Sequence, residues 1–221
     1  MVKLANTHDS KSCTARFVGS SPTIGTNQMS ENVTDKNNLA YVIGVALGDG
    51  NLSNSNGRAT RLRVSCDTKY PTIISSIVSA LQKLLPKNKV SIVERDKNYV
   101  DVSCYSNKLE SFLGWKAKAG SKEKQKVTIP NWIKSNKKYI KYCLRGLFET
   151  DGSVYVDRKY KMANFVTIIP TLANDVMELI EKIGFKPNMQ TLESTIKKTK
   201  YTIRISKNTE EFIETIKLDK S

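Results

Sequence analysis

A chain of 221 residues with 36 Lys and Arg against 21 Asp and Glu carries a net charge of +15. That excess favours a polyanionic partner, above all nucleic acid. Four scattered cysteines and one histidine, His8, exclude a Cys/His zinc site and a Ser-His-Asp triad, and no apolar run reaches the ~18 residues of a membrane-spanning helix.

Residues 1–37 are rich in Ser, Thr and Asn without helical or strand period, and read as a flexible leader. Cys13, Cys66, Cys104 and Cys143 form no C-x-x-C pair, so they read as reduced thiols of an intracellular protein. "NNLAYVIGVALGD" has the pattern of a helix capped by Asn37 or Asn38. It stops on Asp49-Gly50, and a weak strand is expected near Asn51. "RLRVSCD" alternates as a strand. "YPTIISSIVSALQKLLP" places Ile73, Ile77, Leu81 and Leu84 at helical spacing, with Pro71 near its start and Pro86 beyond its end. "KVSIVER" and "NYVDVSC" read as a hairpin across a polar turn at Asp96–Asn98. "NKLESFLGW" is a short helix, with Asn107 and Glu110 spaced as a capping box.

A lysine-rich connector, "KAKAGSKEKQKVTIP", is too charged to pack and reads as a loop or linker. The series then restarts. "KKYIKYCLRGLFETD" is a helix ending on Asp151-Gly152, and "SVYVD" and "NFVTII" are strands. "TLANDVMELIEKIG" carries Val176, Ile180 and Ile183 on one helical face and ends at Gly184. "NMQTLES" and "KYTIRIS" form a hairpin, and in "NTEEFIETIK" Asn208 and Glu211 again have capping-box spacing.

The two series share one order: helix, strand, strand, helix, strand, strand, helix. Gly44 and Gly146 are 102 positions apart, as are Asp49 and Asp151. This is a tandem duplication, divided into a leader (1–37), a first repeat (38–115), a basic connector (116–136) and a second repeat (137–221). Gly44 and Gly48 are four apart and share a helix face, as do Gly146 and Thr150. Small residues at that spacing allow two helix backbones to approach closely, while an isolated Asp-Gly helix end is a common turn. If the helices pack in parallel, Asp49 and Asp151 become neighbours at two negative helix ends. A hard divalent cation fits such a place and supports hydrolysis of a phosphodiester.

"YVIGVALGDG" and "CLRGLFETDG" resemble the two motifs of LAGLIDADG homing endonucleases of the single-chain, two-repeat form. The motif positions fall on Gly44, Asp49 and Gly50 and on Gly146, Asp151 and Gly152, and the likeness covers about residues 38–217. The resemblance implies an α+β fold of two pseudo-symmetric αββαββα repeats, each with a four-stranded antiparallel saddle sheet, joined at the paired motif helices. It implies a monomer that cuts both strands of a long, pseudo-palindromic double-stranded DNA target. It also implies two or three Mg²⁺ ions near Asp49 and Asp151, with the Gly48 and Thr150 carbonyls as further metal ligands. Leu47 and Glu149 stand at the motif's first acid; Glu149 reads as a surface group or one standing behind the metal ligands.

The strands add a surface. Arg61, Arg63 and Ser65 share one face of their strand, as do Ser91, Val93 and Arg95. In the second half Gln190, Leu192 and Ser194 share a face, and Thr202 and Arg204 another. Arg, Gln, Ser and Thr can read base edges in the major groove, so Arg61, Arg63, Arg95, Gln190 and Arg204 are the expected DNA contacts; an ordinary solvent face of an antiparallel sheet has the same pattern. In relatives a lysine ahead of an Ile-Pro pair stands near the active site, which points to Lys126, with Lys122 and Lys124 as alternatives. The rival reading is an RNA maturase or a non-cleaving nucleic-acid binder, which needs no pair of acids.

Overall fold

The computed structural model describes residues 35–54, 57–95, 98–193, 196 and 198–220. His8, Cys13 and nearly all of the expected leader lie outside the described residues, as do Asp96 of the expected hairpin turn and Ser194.

The first repeat opens with α1 (Lys36–Leu47). Its cap is Asp35, whose Oδ1 accepts the backbone N–H groups of Asn37 and Asn38, each at 3.1 Å. The helix therefore starts inside the expected leader, on an acid suited to the positive helix end, and neither Asn37 nor Asn38 is the cap. Every residue from Leu39 to Leu47 is buried, so the helix is enclosed on all sides. β1 (Gly50–Ser53), β2 (Arg61–Asp67), α2 (Pro71–Leu84), β3 (Val90–Glu94), β4 (Tyr99–Tyr105) and α3 (Leu109–Leu113) follow. The strands pair antiparallel in the order β1-β2-β4-β3. Leu62, Val64 and Cys66 of β2 and Val100, Val102 and Cys104 of β4 enter the core. Their period-two neighbours, Arg61, Arg63 and Ser65 with Tyr99, Asp101 and Ser103, take the opposite, helix-free face.

The second repeat has the same parts in the same order: α5 (Lys137–Thr150), β5 (Gly152–Asp157), β6 (Tyr160–Thr167), α6 (Pro170–Lys182), β7 (Asn188–Leu192), β8 (Lys200–Ile205) and α7 (Thr209–Ile216), preceded by the short α4 (Asn131–Lys134). Its sheet order, β5-β6-β8-β7, repeats that of the first. Phe148 of α5 packs on Phe165 and Phe212, with ring centroids 5.9 and 5.1 Å away. Each such buried ring contributes roughly 1.5–3 kcal/mol over exposure. Ile73, Ile77 and Leu81 of α2 and Val176 and Ile180 of α6 are buried as their spacing predicts, while Leu84 and Ile183 are only partly covered.

Neither expected capping box forms. No side chain caps α3 or α7. Glu110 instead accepts the Ala117 N–H at 3.0 Å, and Asn208 adopts a left-handed conformation with φ 55°. The connector also differs from the expected loose linker. Gln125 folds it back on itself, bonding the Lys116 N–H and the Lys116 and Gly120 carbonyls, all at 2.9 Å. Val127 and Ile129 are buried. Asp175 of α6 receives the Ile129 N–H at 2.6 Å and pairs with Lys134 of α4. Val127 and Ile129 anchor the segment, Lys116, Lys118, Lys124 and Lys126 stay exposed, and Lys122 turns inward.

Candidate active site at the paired helix ends

The repeats meet where α1 lies along α5. A Cβ added to Gly44 would strike the carbonyl oxygen of Cys143 and come within 3.1 Å of the Leu147 nitrogen. One added to Gly146 would strike the Tyr41 carbonyl oxygen and lie 2.7 Å from the Val45 nitrogen. Each glycine is thus where one backbone touches the other. One turn on, a Cβ on Gly48 would meet the side chain of Thr150. Thr150 Oγ1 donates back to its own helix, to the carbonyls of Gly146 and Leu147 at 3.0 Å. The contacts run in the same chain order on both helices, so the helices are parallel and end side by side.

Asp49 and Asp151 follow those ends, and their carboxyls lie within hydrogen-bonding reach of one another. Asp49 is exposed and Asp151 half-buried, yet protein packed around them raises both pKas. Desolvation is the larger cause for Asp151, the Asp49 charge adds to it, and the carboxyl is pushed up to about 6. Asp49 is raised by desolvation, while Lys122, Lys220 and the bond with Asp151 oppose the rise. The two carboxyls therefore titrate as a coupled pair whose first proton is held more tightly than by an ordinary carboxylate.

Two lysines close the helix ends. Lys122 Nζ donates to the carbonyls of Ala46 (3.2 Å), Leu47 (2.7 Å) and Gly48. Lys220 Nζ donates to those of Thr150 (3.0 Å) and Gly152 (2.5 Å). Each repeat sends a lysine from beyond its last helix back to the end of its own motif helix, where a cation is favoured. Desolvation lowers both ammonium pKas, and the two aspartates oppose the drop. Lys126 lies elsewhere: it is exposed, in a turn with φ 47°. Of the connector lysines, Lys122 is the one at the aspartates. Lys220 had no sequence signal except its place after the second closing helix.

Glu149 is not a surface group. It is 4% exposed, accepts the Tyr41 hydroxyl at 2.6 Å across the seam, and accepts Arg145 Nε at 2.6 Å along its own helix. It latches one repeat to the other and lines the same pocket as Asp49, Thr150 and Lys220.

The sequence-predicted DNA contacts do not join this centre; they occupy the helix-free faces of the sheets. Arg61, with its guanidinium 5.9 Å from the Tyr105 ring centroid, Arg63 and Arg95 lie on the first sheet. Gln190 and Arg204 lie on the second, opposite Thr202 and Asn188. Asp101, absent from the sequence-predicted set, stands among the arginines of the first sheet.

Oxygen donors dominate the helix ends: two carboxylates and the carbonyls of Gly48 and Thr150. That set suits a hard divalent cation. No cluster of three or more Asp, Glu, His or Cys able to hold a metal occurs among the described residues, so the remaining ligands would be carbonyls, water or substrate oxygens.

The family comparisons divide the chain at the same place as the duplication. The WhiA LAGLIDADG-like domain matches residues 38–125, and the LAGLIDADG-like domain matches residues 138–217. Among solved structures, I-DmoI in complex with DNA and Mn superposes with a TM-score of 0.60 at 18% identity, covering 82% of this chain and 96% of that one. The complex of I-DmoI with DNA and Ca gives 0.60 at 19%, covering 82% and 89%. The N-terminal LAGLIDADG domain of DUF199/WhiA gives 0.57 at 17%, covering 84% of each chain. No curated protein sequence matches. With one matching domain on each side of the connector, two sheets of equal order and two motif helices in contact through their glycines, the chain is a two-repeat member of the LAGLIDADG family, with the fold of a single-chain homing endonuclease.

Proposed function

We propose that the protein is a site-specific double-strand DNA endonuclease that hydrolyses phosphodiester bonds with Mg²⁺. One observation carries the reading: Asp49 and Asp151, one from each repeat, stand within hydrogen-bonding reach at the ends of two parallel helices in a chain of net charge +15. Burial raises the pKas of both carboxyls, an expense that a structural turn does not require and that a bound cation offsets. Asp49 and Asp151 would hold the divalent ions, joined by the carbonyls of Gly48 and Thr150 once Lys122 and Lys220, which donate to those carbonyls, move aside. Such ions supply a water of lowered pKa and a Lewis acid for the phosphate. The chain's own residues do the rest. The helix glycines set the distance between the acids. Lys122 and Lys220 place two positive charges beside them, the sign that stabilises charge developing on a cleaved phosphate. The sheets, with Arg61, Arg63, Arg95, Gln190 and Arg204, hold the duplex. Complexes of I-DmoI with DNA and with Mn or Ca, at a similar fold, support this reading.

The match of the first repeat to the WhiA domain favours a second reading, a nucleic-acid binder that does not cut. The acids discriminate the two. Asp49→Asn and Asp151→Asn should each abolish double-strand cutting in Mg²⁺ and leave binding of the same duplex nearly unchanged, and chelation should stop the wild-type chain. Cleavage of both strands by either variant at the wild-type rate sinks the assignment. Tight, specific binding by a wild-type chain that cuts nothing supports the second reading.

A further inference from the structure

Asp101 sits in the middle of β4, on the helix-free face of the first sheet, and is 2% exposed. Ser65 Oγ donates to its Oδ1 at 2.7 Å. Arg95 Nε donates to its Oδ2 at 2.8 Å, and Arg63 Nη1 stands 4.0 Å from the same oxygen. Burial works against the carboxylate's charge, but the bonds from Ser65 and Arg95 and the charge of Arg63 outweigh it and hold the pKa below the ordinary range. The group is therefore an anion at neutral pH, set into the surface that faces a polyanion in the reading above.

For bulk attraction this is a poor arrangement, since the acid cancels one of two positive charges where counterion release would reward both. For base reading it is a good one. An arginine carries large rotamer freedom, and a fork already held in place loses less of it on binding. Arg95 meets Asp101 through Nε, so its two terminal amino groups keep the pair of donors that guanine O6 and N7 accept. The side chains of Arg63 and Arg95 remain 41% and 39% exposed, so both forks stay accessible.

The second sheet lacks this device. Asn51 pairs with Arg63, and Ser153, equally placed after its motif aspartate, pairs with Asn164. Two residues further along, Ser65 pairs with Asp101 in the first sheet and Val166 with Thr202 in the second. The place of Asp101 is thus taken by Thr202 and that of Arg63 by Asn164, which bonds the Tyr155 hydroxyl at 3.1 Å. Arg204 Nε on this sheet, like Arg61 Nε on the first, is buried without a hydrogen-bond partner.

We propose that Asp101 is a positioning residue that holds Arg63 and Arg95 as base-reading forks, so that the half-site under the first sheet is specified through guanine contacts and the half-site under the second is not. This rests on the DNA reading above. The test is selection of bound duplexes from a randomised library, in chelator so that nothing is cut, by the full wild-type chain, Asp101→Asn and Asp101→Thr. The threonine variant gives the first sheet the residue that the second carries at this place, so it keeps the test readable if the asparagine variant fails to fold. In the variants the preference for guanine in one half-site should fall by about tenfold or more, the scale of a lost bidentate contact. The other half-site should be unchanged. The slope of log affinity against log salt should steepen by up to about 0.9, one phosphate's worth, as a freed arginine turns to the backbone. Folded variants with the wild-type preference in both half-sites, or with equal loss in both, overturn the role of Asp101. A wild-type chain that selects no sequence overturns the DNA reading, and the proposal with it.

Discussion

At the scale of single residues, the paired aspartates set a pH dependence. A carboxyl whose pKa is higher in the folded state than in the unfolded chain favours folding when protonated. That contribution is complete below the ordinary carboxylate value and is lost as pH rises through the folded value, about 6 for Asp151. In chelator, the thermal midpoint of the wild-type chain should therefore fall relative to that of Asp151→Asn between about pH 4 and 6, with the variant the more stable above that window. Melting curves of the two proteins over this range check it; a variant that tracks or falls below the wild type at pH 7 contradicts a carboxyl held by burial and by the Asp49 charge above its ordinary pKa. The lysines give a second residue-level prediction. Lys122→Met should lose most cutting, while Lys126→Met should keep it, as single-turnover rates on one target would show. The place of the aspartates at two matched helix ends was legible in the sequence because the duplication marked it twice. The lysine was less so, because spacing to Ile129-Pro130 says nothing of how the connector turns. Gln125 bends that segment so that Lys122 reaches the helix end and Lys126 faces solvent. Asp101 looked like one more polar residue on an alternating strand, since which arginines flank it is decided by strand pairing.

At the scale of elements, the seam between α1 and α5 is the part with least tolerance. Because Cβ atoms at Gly44 and Gly146 would overlap backbone atoms of the partner helix, even Gly44→Ala or Gly146→Ala should destabilise the protein, by about 1–3 kcal/mol or more as overpacking does. Alanine is the better helix former, so intrinsic propensity alone predicts the opposite sign. Chemical denaturation of both variants decides between the two; unchanged or raised stability would mean that the helices can part at no cost. The glycine spacing and the order of all fourteen repeated elements were readable from sequence because they follow from periodicity and from a pattern stated twice. The caps were not. Glu110 has the spacing of a capping box, but the Ala117 N–H, seven residues on, takes its carboxylate. The true cap of α1, Asp35, sat in a stretch whose composition hid it.

At the scale of the whole molecule, the two repeats present two sheet faces of different chemistry in one chain, which on the proposed function are two different reading surfaces. Asp101, Ser65 and Arg63 on one sheet answer to Thr202, Val166 and Asn164 on the other, so the target should be at best an imperfect palindrome. One chain should occupy one duplex, and sedimentation of the complex should show that mass; two chains per duplex would mean that the repeats are not the halves of a single reader. The net charge of +15 should make affinity fall steeply with salt, by about 0.9 in log–log slope for each phosphate neutralised. The central claim is that this one chain carries both halves of a metal-dependent cutting site. The most direct measurement is to incubate it with a randomised duplex library in Mg²⁺ and sequence the ends produced. The account predicts ends from a single long, imperfectly palindromic sequence cut in both strands, and none with Asp49→Asn or Asp151→Asn. Ends scattered without sequence preference, or ends that persist in either variant, would contradict it.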